Sequence, residues 1–163
     1  MTSIYVDWGL SRVKLTWIPS KQPPIPEFIT SVHGLCFLDN QLLLVDIKKR
    51  GWNFPGGHIE LNETPLECVK REVMEEACVE GDCEYLGYVE VNHNENPNWK
   101  SNSPYPVIGY QTFYRMDITN VLPFAKQFES QERKFIPPNE STNYVVDWHE
   151  VYEEILQTAL VHF

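Results

Sequence analysis

The run Thr64-Pro65-Leu66-Glu67 fixes where a helix must begin. The Thr64 hydroxyl can accept from the N–H three residues on, and Glu67 can reach back to the Thr64 N–H, which makes a capping box. Pro65 takes the first helical position, where its missing N–H costs little. From there Leu66, Val69, Val73 and Ala77 recur at helical spacing and predict one apolar face. Glu72, Glu75 and Glu76 follow at i, i+3 and i+4, so they project together from one side. Each like-charge pair at that spacing destabilises an isolated helix by roughly 0.2–0.5 kcal/mol. A solvated acidic face is the plain explanation. The alternative is a hard divalent cation, because Mg²⁺ and Mn²⁺ favour carboxylate oxygens.

The flanking segments frame this helix. Val13, Leu15 and Trp17 alternate with polar residues and predict a half-buried strand. Residues 19 to 27 hold four prolines and read as an extended connector. Residues 1 to 27 are too short to fold alone, so they read as an added strand or hairpin on a single domain spanning 1 to 163. A strand is expected over 28 to 38, a turn at Asp39-Asn40, and a buried strand over 41 to 47. Residues 48 to 58 form a loop in which Gly56-Gly57 permits a sharp turn or close approach to a ligand. Further strands are expected over 84 to 91 and within 106 to 118, around a polar loop at 93 to 104. Residues 119 to 146 give no clear signal. Trp148, Val151, Tyr152, Ile155 and Ala159 predict a final amphipathic helix. Strands on both sides of one helix, with a second helix last, place the chain among α/β or α+β sandwiches.

Charge narrows the partners. Net charge is -10, from 23 acidic and 13 basic residues. That argues against non-specific binding to nucleic acid or anionic membranes. It permits phosphate substrates, since a bound divalent cation inverts the local sign of charge. No apolar run reaches membrane-span length, and residues 1 to 17 lack the basic-then-apolar pattern of a signal peptide. Cys36, Cys68, Cys78 and Cys83 form no CxxC pair, so reduced thiols in a cytoplasmic protein are expected. His33, His58, His93, His149 and His162 show no metal-ligand spacing, so no zinc site is expected.

Taken together, residues 56 to 79 resemble the Nudix box of the Nudix hydrolase (MutT-like) family. Gly57 is followed after five residues by Glu63, then after seven by Arg71-Glu72, Val73, one residue, and Glu75-Glu76. The lead-in WNFPGG also looks like the family's approach to the box. One position departs: Cys78 stands where the family usually has glycine. Replacement there costs about 1 kcal/mol if the position needs φ > 0, and Gly81 is the next residue suited to ending the helix.

The resemblance implies an α/β/α sandwich with a mixed sheet. It implies hydrolysis of a nucleoside diphosphate linked to another group, by attack of water on a phosphorus of the pyrophosphate. It further implies Glu72 and Glu76 as metal ligands and Glu75 as a further ligand or water-orienting carboxylate. The Gly56 carbonyl becomes an extra ligand, Arg71 the residue that orients the glutamates, and Glu63 its acidic partner. The implied cofactor is Mg²⁺, with Mn²⁺ as a substitute.

The general base of the family lies in the box or a later loop. Glu129 and Glu132 in FESQERKF are the candidates here, with Glu95 as another. A nucleoside triphosphate, oxidised or not, is the first substrate expected. An ADP-ribose or other conjugate, or nucleotide sensing without turnover, are alternatives. Pro97, 18 residues past Val79, lies near where ADP-ribose hydrolases of the family carry a proline. Trp8, Trp17, Phe28, Trp99, Tyr105 and Tyr110 are candidates for stacking on a base. The expected partner is a small nucleotide rather than a membrane or long nucleic acid. The sequence does not state an oligomeric state; many relatives dimerise, and the N-terminal strand region is a candidate contact for a homodimer.

Overall fold

The computed structural model describes residues 1–161; His162 lies outside them. In chain order the strands are β1 (Thr2–Trp8), β2 (Ser11–Pro19), β3 (Ile29–Leu38), β4 (Gln41–Ile47), β5 (Gly51–Asn53), β6 (Gly56–Gly57), β7 (Val79–Asn92), β8 (Ile108–Val121) and β9 (Ser130–Ile136). The helices are α1 (Pro65–Ala77), the single turn α2 (Ser141–Tyr144) and α3 (Glu150–Val161). The sheet runs β1-β2-β7-β8-β3-β4-β5, with β6 added to β3 and β9 added to β4. β3 and β8 pair in parallel, while the other named pairs are antiparallel, so the sheet is mixed.

β4 shows why two helical layers are needed. Leu42 and Leu44 join Trp17, Leu35, Val151, Ile155 and Ala159 on the α3 side. Leu43 and Val45 join Val32, Cys36, Met116, Val69, Val73 and Ala77 on the α1 side. A strand covered on both faces reads as an unbroken apolar run, as 42 to 45 does. The result is an α/β/α sandwich. No helix among the described residues is long and apolar enough to cross a membrane.

Residues 1 to 27 build the β1–β2 hairpin, with β2 pairing against β7, and a 3-10 turn at Pro26–Phe28 leads into β3. Trp17 is fully buried in that hairpin's inner face, its indole N–H donating to Thr158 Oγ1 at 3.2 Å. It is therefore a core residue and no stacking platform. The stretch 119 to 146, silent in sequence, holds the end of β8, all of β9 and the turn α2.

Two local expectations need correction. Leu66 is 40% exposed, whereas Cys68, Val69, Val73, Glu76 and Ala77 are buried. At 100° per residue this set centres near Val69, and Leu66, in the first turn, falls within the same arc. The buried stripe is wider than the apolar set alone, and it draws one carboxylate inward. The helix end differs as well. Cys78 itself adopts the left-handed conformation, φ 58 and ψ 42, and caps α1. Gly81 lies inside β7, which starts at Val79 rather than 84, and a Cβ there would meet the Asp117 carbonyl oxygen at 2.1 Å. Gly81 serves close strand approach, and the helix is terminated without it.

Candidate active site

The start of α1 is built as its sequence demands. Thr64 Oγ1 accepts the Glu67 N–H and the Glu67 carboxylate accepts the Thr64 N–H, each at 3.1 Å. At the other end the Ser130 hydroxyl donates to the Glu76 carbonyl at 2.7 Å. The Arg133 guanidinium donates to the Ala77 and Cys78 carbonyls at 2.9 and 3.3 Å. A cation at the negative end of the helix is favourable, and it comes from β9 because the last turn of α1 carries none. α1 is thereby pinned at both ends, which fixes the side chains between.

Glu72, Glu75 and Glu76 all line one cleft of about 1100 Å³. Gly56 and Gly57 of β6 form its floor, and a Cβ on Gly57 would sit 2.4 Å from Glu72 Cδ. Only glycine allows the strand and the carboxylate to meet that closely. Gly56 joins the cluster through its N–H, which donates to Glu76 Oε1 at 2.8 Å.

Arg71 ties the cluster together. Its Nε and Nη2 hold the two Glu63 oxygens at 2.6 and 3.0 Å, a bidentate pair. Its Nη1 reaches Glu72 at 2.9 Å and Glu75 at 3.3 Å, and Nη2 also donates to the His58 carbonyl at 3.1 Å. The guanidinium holds the Glu63 carboxyl down at about 2. Burial pushes the Glu72 carboxyl up, against the pull of Arg71. Burial pushes Glu76 up to about 7, with the charges of Glu72 and Glu129 adding to it and the Gly56 N–H opposing.

The candidate bases separate in space. Glu129, just ahead of β9, lines the cleft. Glu132 is exposed within β9, opposite Asp46 of β4, and lies outside the cleft lining. Glu95 is exposed in the 93 to 104 loop, accepts the Tyr5 hydroxyl, and also lies outside the lining. Pro97 is exposed in the same loop. Of the six aromatics, Trp8 and Tyr105 line the cleft, 46% and 47% exposed. Trp99 instead donates its indole N–H to the Tyr105 carbonyl at 3.0 Å, and Tyr110 packs edge-on against Tyr88 at 5.1 Å.

Among the lining residues not singled out in sequence, Arg50 and His33 bear most on the charge of the site. Arg50 is the one guanidinium on the cleft wall, and it makes no ion pair among the described residues. The signal was present: a basic run, KKR, one glycine ahead of WNFPGG in an acidic chain. His33 lies behind Gly56, stacked on Phe113 at 5.0 Å and bonded to Ser31 Oγ at 2.9 Å. Burial lowers its pKa to about 4, so its imidazole is neutral. A lone histidine inside a strand gave no hint of this.

The donor set suits a hard divalent ion: three carboxylates and a backbone carbonyl, with Glu72 Oε2 and Glu76 Oε2 accepting no hydrogen bond among the described residues. As placed, no three His, Cys, Asp or Glu side chains among the described residues converge on one ion position. Glu75 is turned onto Arg71, so a full ligand set requires it to turn. All four cysteines are free thiols.

Comparison with known proteins agrees with this architecture. A curated Bacillus subtilis protein named "Putative ADP-ribose pyrophosphatase YjhB" is 29% identical over 121 residues. The match spans 74% of this chain and 55% of that protein, little more than half its length. Among solved structures, a mutant of the Bacillus subtilis pyrophosphohydrolase BsRppH superposes with a TM-score of 0.71 at 23% identity, covering 97% of this chain and 95% of that one. The NUDIX domain of Shewanella oneidensis NrtR, complexed with ADP ribose, gives 0.59 at 17% identity, covering 81% and 86%. The family model for the NUDIX domain matches residues 28–158, and with most of its length inside that match the chain belongs to the NUDIX domain family.

Proposed function

We propose that this chain is a divalent-metal-dependent hydrolase that cleaves the pyrophosphate linkage of a nucleoside diphosphate joined to a further group. A nucleoside triphosphate, oxidised or not, is the first substrate of that class. One observation carries the reading. Glu76 and Glu129 face one cleft beside Glu72 with no ion pair of their own among the described residues, and Glu76 is raised to about 7. Carboxylates held that way repel both one another and a pyrophosphate, and a divalent cation reverses both effects.

Glu72, Glu76, Glu75 and the Gly56 carbonyl would hold a Mg²⁺ or Mn²⁺ ion, which would supply charge neutralisation at the phosphates and a lowered pKa for an attacking water. Arg71, itself clamped by Glu63, sets the direction of Glu72 and Glu75. Glu129 takes the proton of the attacking water as general base. Arg50 meets the phosphate oxygens from the facing wall, a role suited to its planar fork.

A second reading, hydrolysis of ADP-ribose or a similar conjugate, is favoured by the printed name of the curated relative. Sensing without turnover is disfavoured because all three helix glutamates are retained. The test is a screen of nucleoside triphosphates and diphosphate conjugates with Mg²⁺ or Mn²⁺, reading released phosphate or pyrophosphate. Turnover that falls at least ~100-fold in Glu76→Gln, in a protein that still unfolds cooperatively, supports catalysis. Binding with no turnover of any substrate would overturn it.

A further inference from the structure

The β1–β2 hairpin ends at the acidic cleft, and its tip is latched there. The Tyr5 hydroxyl donates to Glu95, and Asn98 Nδ2 donates to the Leu10 carbonyl at 2.7 Å. The Trp8 ring meets His93 edge-on, centroids 6.4 Å apart. Tyr105 is held from the same loop by the Trp99 indole and stacks on His58 at 6.5 Å. These contacts enclose a side pocket of about 240 Å³ that shares Trp8, Ser31, His58, Tyr105 and Gln111 with the cleft.

Three features define what this pocket holds. Its walls are flat: Trp8 and Tyr105 remain 46% and 47% exposed at its mouth, with ring surface open to stacking by a planar group. It carries one amide, Gln111, whose side chain has no hydrogen-bond partner among the described residues. It has no guanidinium or ammonium group, so it does not suit a second phosphate. Its volume falls below the roughly 300–1,000 Å³ of pockets for drug-sized ligands, so it suits one ring system.

We propose that this pocket receives the nucleobase of the substrate, with Trp8 and Tyr105 as its stacking walls and the Gln111 amide reading the base edge. The inference rests on the function proposed above, which places the diphosphate in the adjoining acidic cleft. Trp8 lies outside residues 28–158, so base selection draws on a segment beyond the matched domain.

The experiment compares nucleoside triphosphates with inorganic tripolyphosphate, which has no base, in the wild type, Trp8→Ala, Trp8→Phe, Tyr105→Ala and Gln111→Leu. Loss of one base–aromatic stack corresponds to a rise of about tenfold in KM. Trp8→Ala and Tyr105→Ala should show that rise for the triphosphates, with kcat within about twofold and tripolyphosphate unchanged. Trp8→Phe should recover most of it, and Gln111→Leu should alter the ranking of the four bases. Equal effects on tripolyphosphate, or no effect on any nucleotide, would overturn the pocket. If the wild type turns over nothing, the functional reading fails first. The pocket is then judged by quenching of Trp8 fluorescence, taken as the difference between wild type and Trp8→Phe. AMP and GMP should quench it where ribose 5-phosphate does not, and the absence of quenching would end the proposal.

Discussion

Two ends of one carboxylate cluster differ in what balances their charge. At the outer end Glu63 is clamped bidentately by Arg71 and held down at about 2. At the inner end Glu76 is buried beside Glu72 and Glu129 and raised to about 7. Glu63 lies just ahead of α1 and Glu76 in its last turn. Burial accounts first for the rise at Glu76, and one guanidinium for the fall at Glu63, since Arg71 reaches Glu63, Glu72 and Glu75 but makes no ion pair with Glu76. The outer end is complete as folded and serves geometry. On the function proposed above, the inner end is completed by a cation and is where the chemistry would take place.

The largest effect that would sharpen this contrast is on turnover. Glu129→Gln should lower kcat by about 10²–10⁴-fold, the range of a general base. Glu132→Gln, three residues away on the exposed face of β9, should stay within about twofold. Equal losses in the two variants, in a steady-state assay, would remove Glu129 from the inner end.

The next effect is on stability and belongs to the outer end. Arg71→Ala leaves Glu63, 11% exposed, without its partner. Removing one member of a half-buried pair leaves the other uncompensated, so unfolding in urea should report a loss of about 1–3 kcal/mol near pH 7. Adding Glu63→Ala should recover about 1 kcal/mol or more of that, since the uncompensated carboxylate goes too. A loss below roughly 0.5 kcal/mol would show that the clamp does not hold the cluster.

How much of this was legible follows from what each feature depends on. The capping box, the spacing of Glu72, Glu75 and Glu76 and the two-sided strand β4 are local patterns, and residues 41 to 77 announced them. The burial of Glu76 depends on how wide a face of α1 meets the sheet, and no local period states it. β9 was unread because its alternation is irregular, yet it supplies Ser130 and Arg133 to the end of α1 and positions Glu129. Trp8 and Tyr105 could be named only within a group of six aromatics, because hairpin and loop meet through long-range contacts. Arg50 was legible in composition and was missed.

The pH dependence of the two ends runs in opposite directions. Glu63 is lowered on folding, so its contribution is complete above pH ~4.5 and is lost as pH falls toward 2. Glu76 is raised on folding, so the metal-free protein is favoured below pH ~4.5 and loses stability as pH rises through 7. Glu76→Gln should therefore stabilise the metal-free protein by about 1–2 kcal/mol at pH 8 and by almost nothing at pH 4.5. Mg²⁺ should raise the Tm of the wild type at pH 8 and leave the variant nearly unmoved. A variant no more stable than wild type at pH 8 in chelator would show the inner end to be already compensated.

The smallest effect lies where α1 stops. Cys78 holds a left-handed conformation, which costs a side chain about 1 kcal/mol relative to glycine. It is also only 8% exposed, and its Sγ accepts the Ala125 N–H at 3.5 Å. Cys78→Gly relieves the backbone and deletes the buried sulfur, two changes of similar size and opposite sign. The net shift should fall within about 0.5 kcal/mol. Cys78→Ala loses the sulfur and keeps the strain, so it should be less stable than Cys78→Gly by about 1 kcal/mol. If alanine proved the more stable of the two in thermal unfolding, the left-handed cap would not be the feature that sets this position.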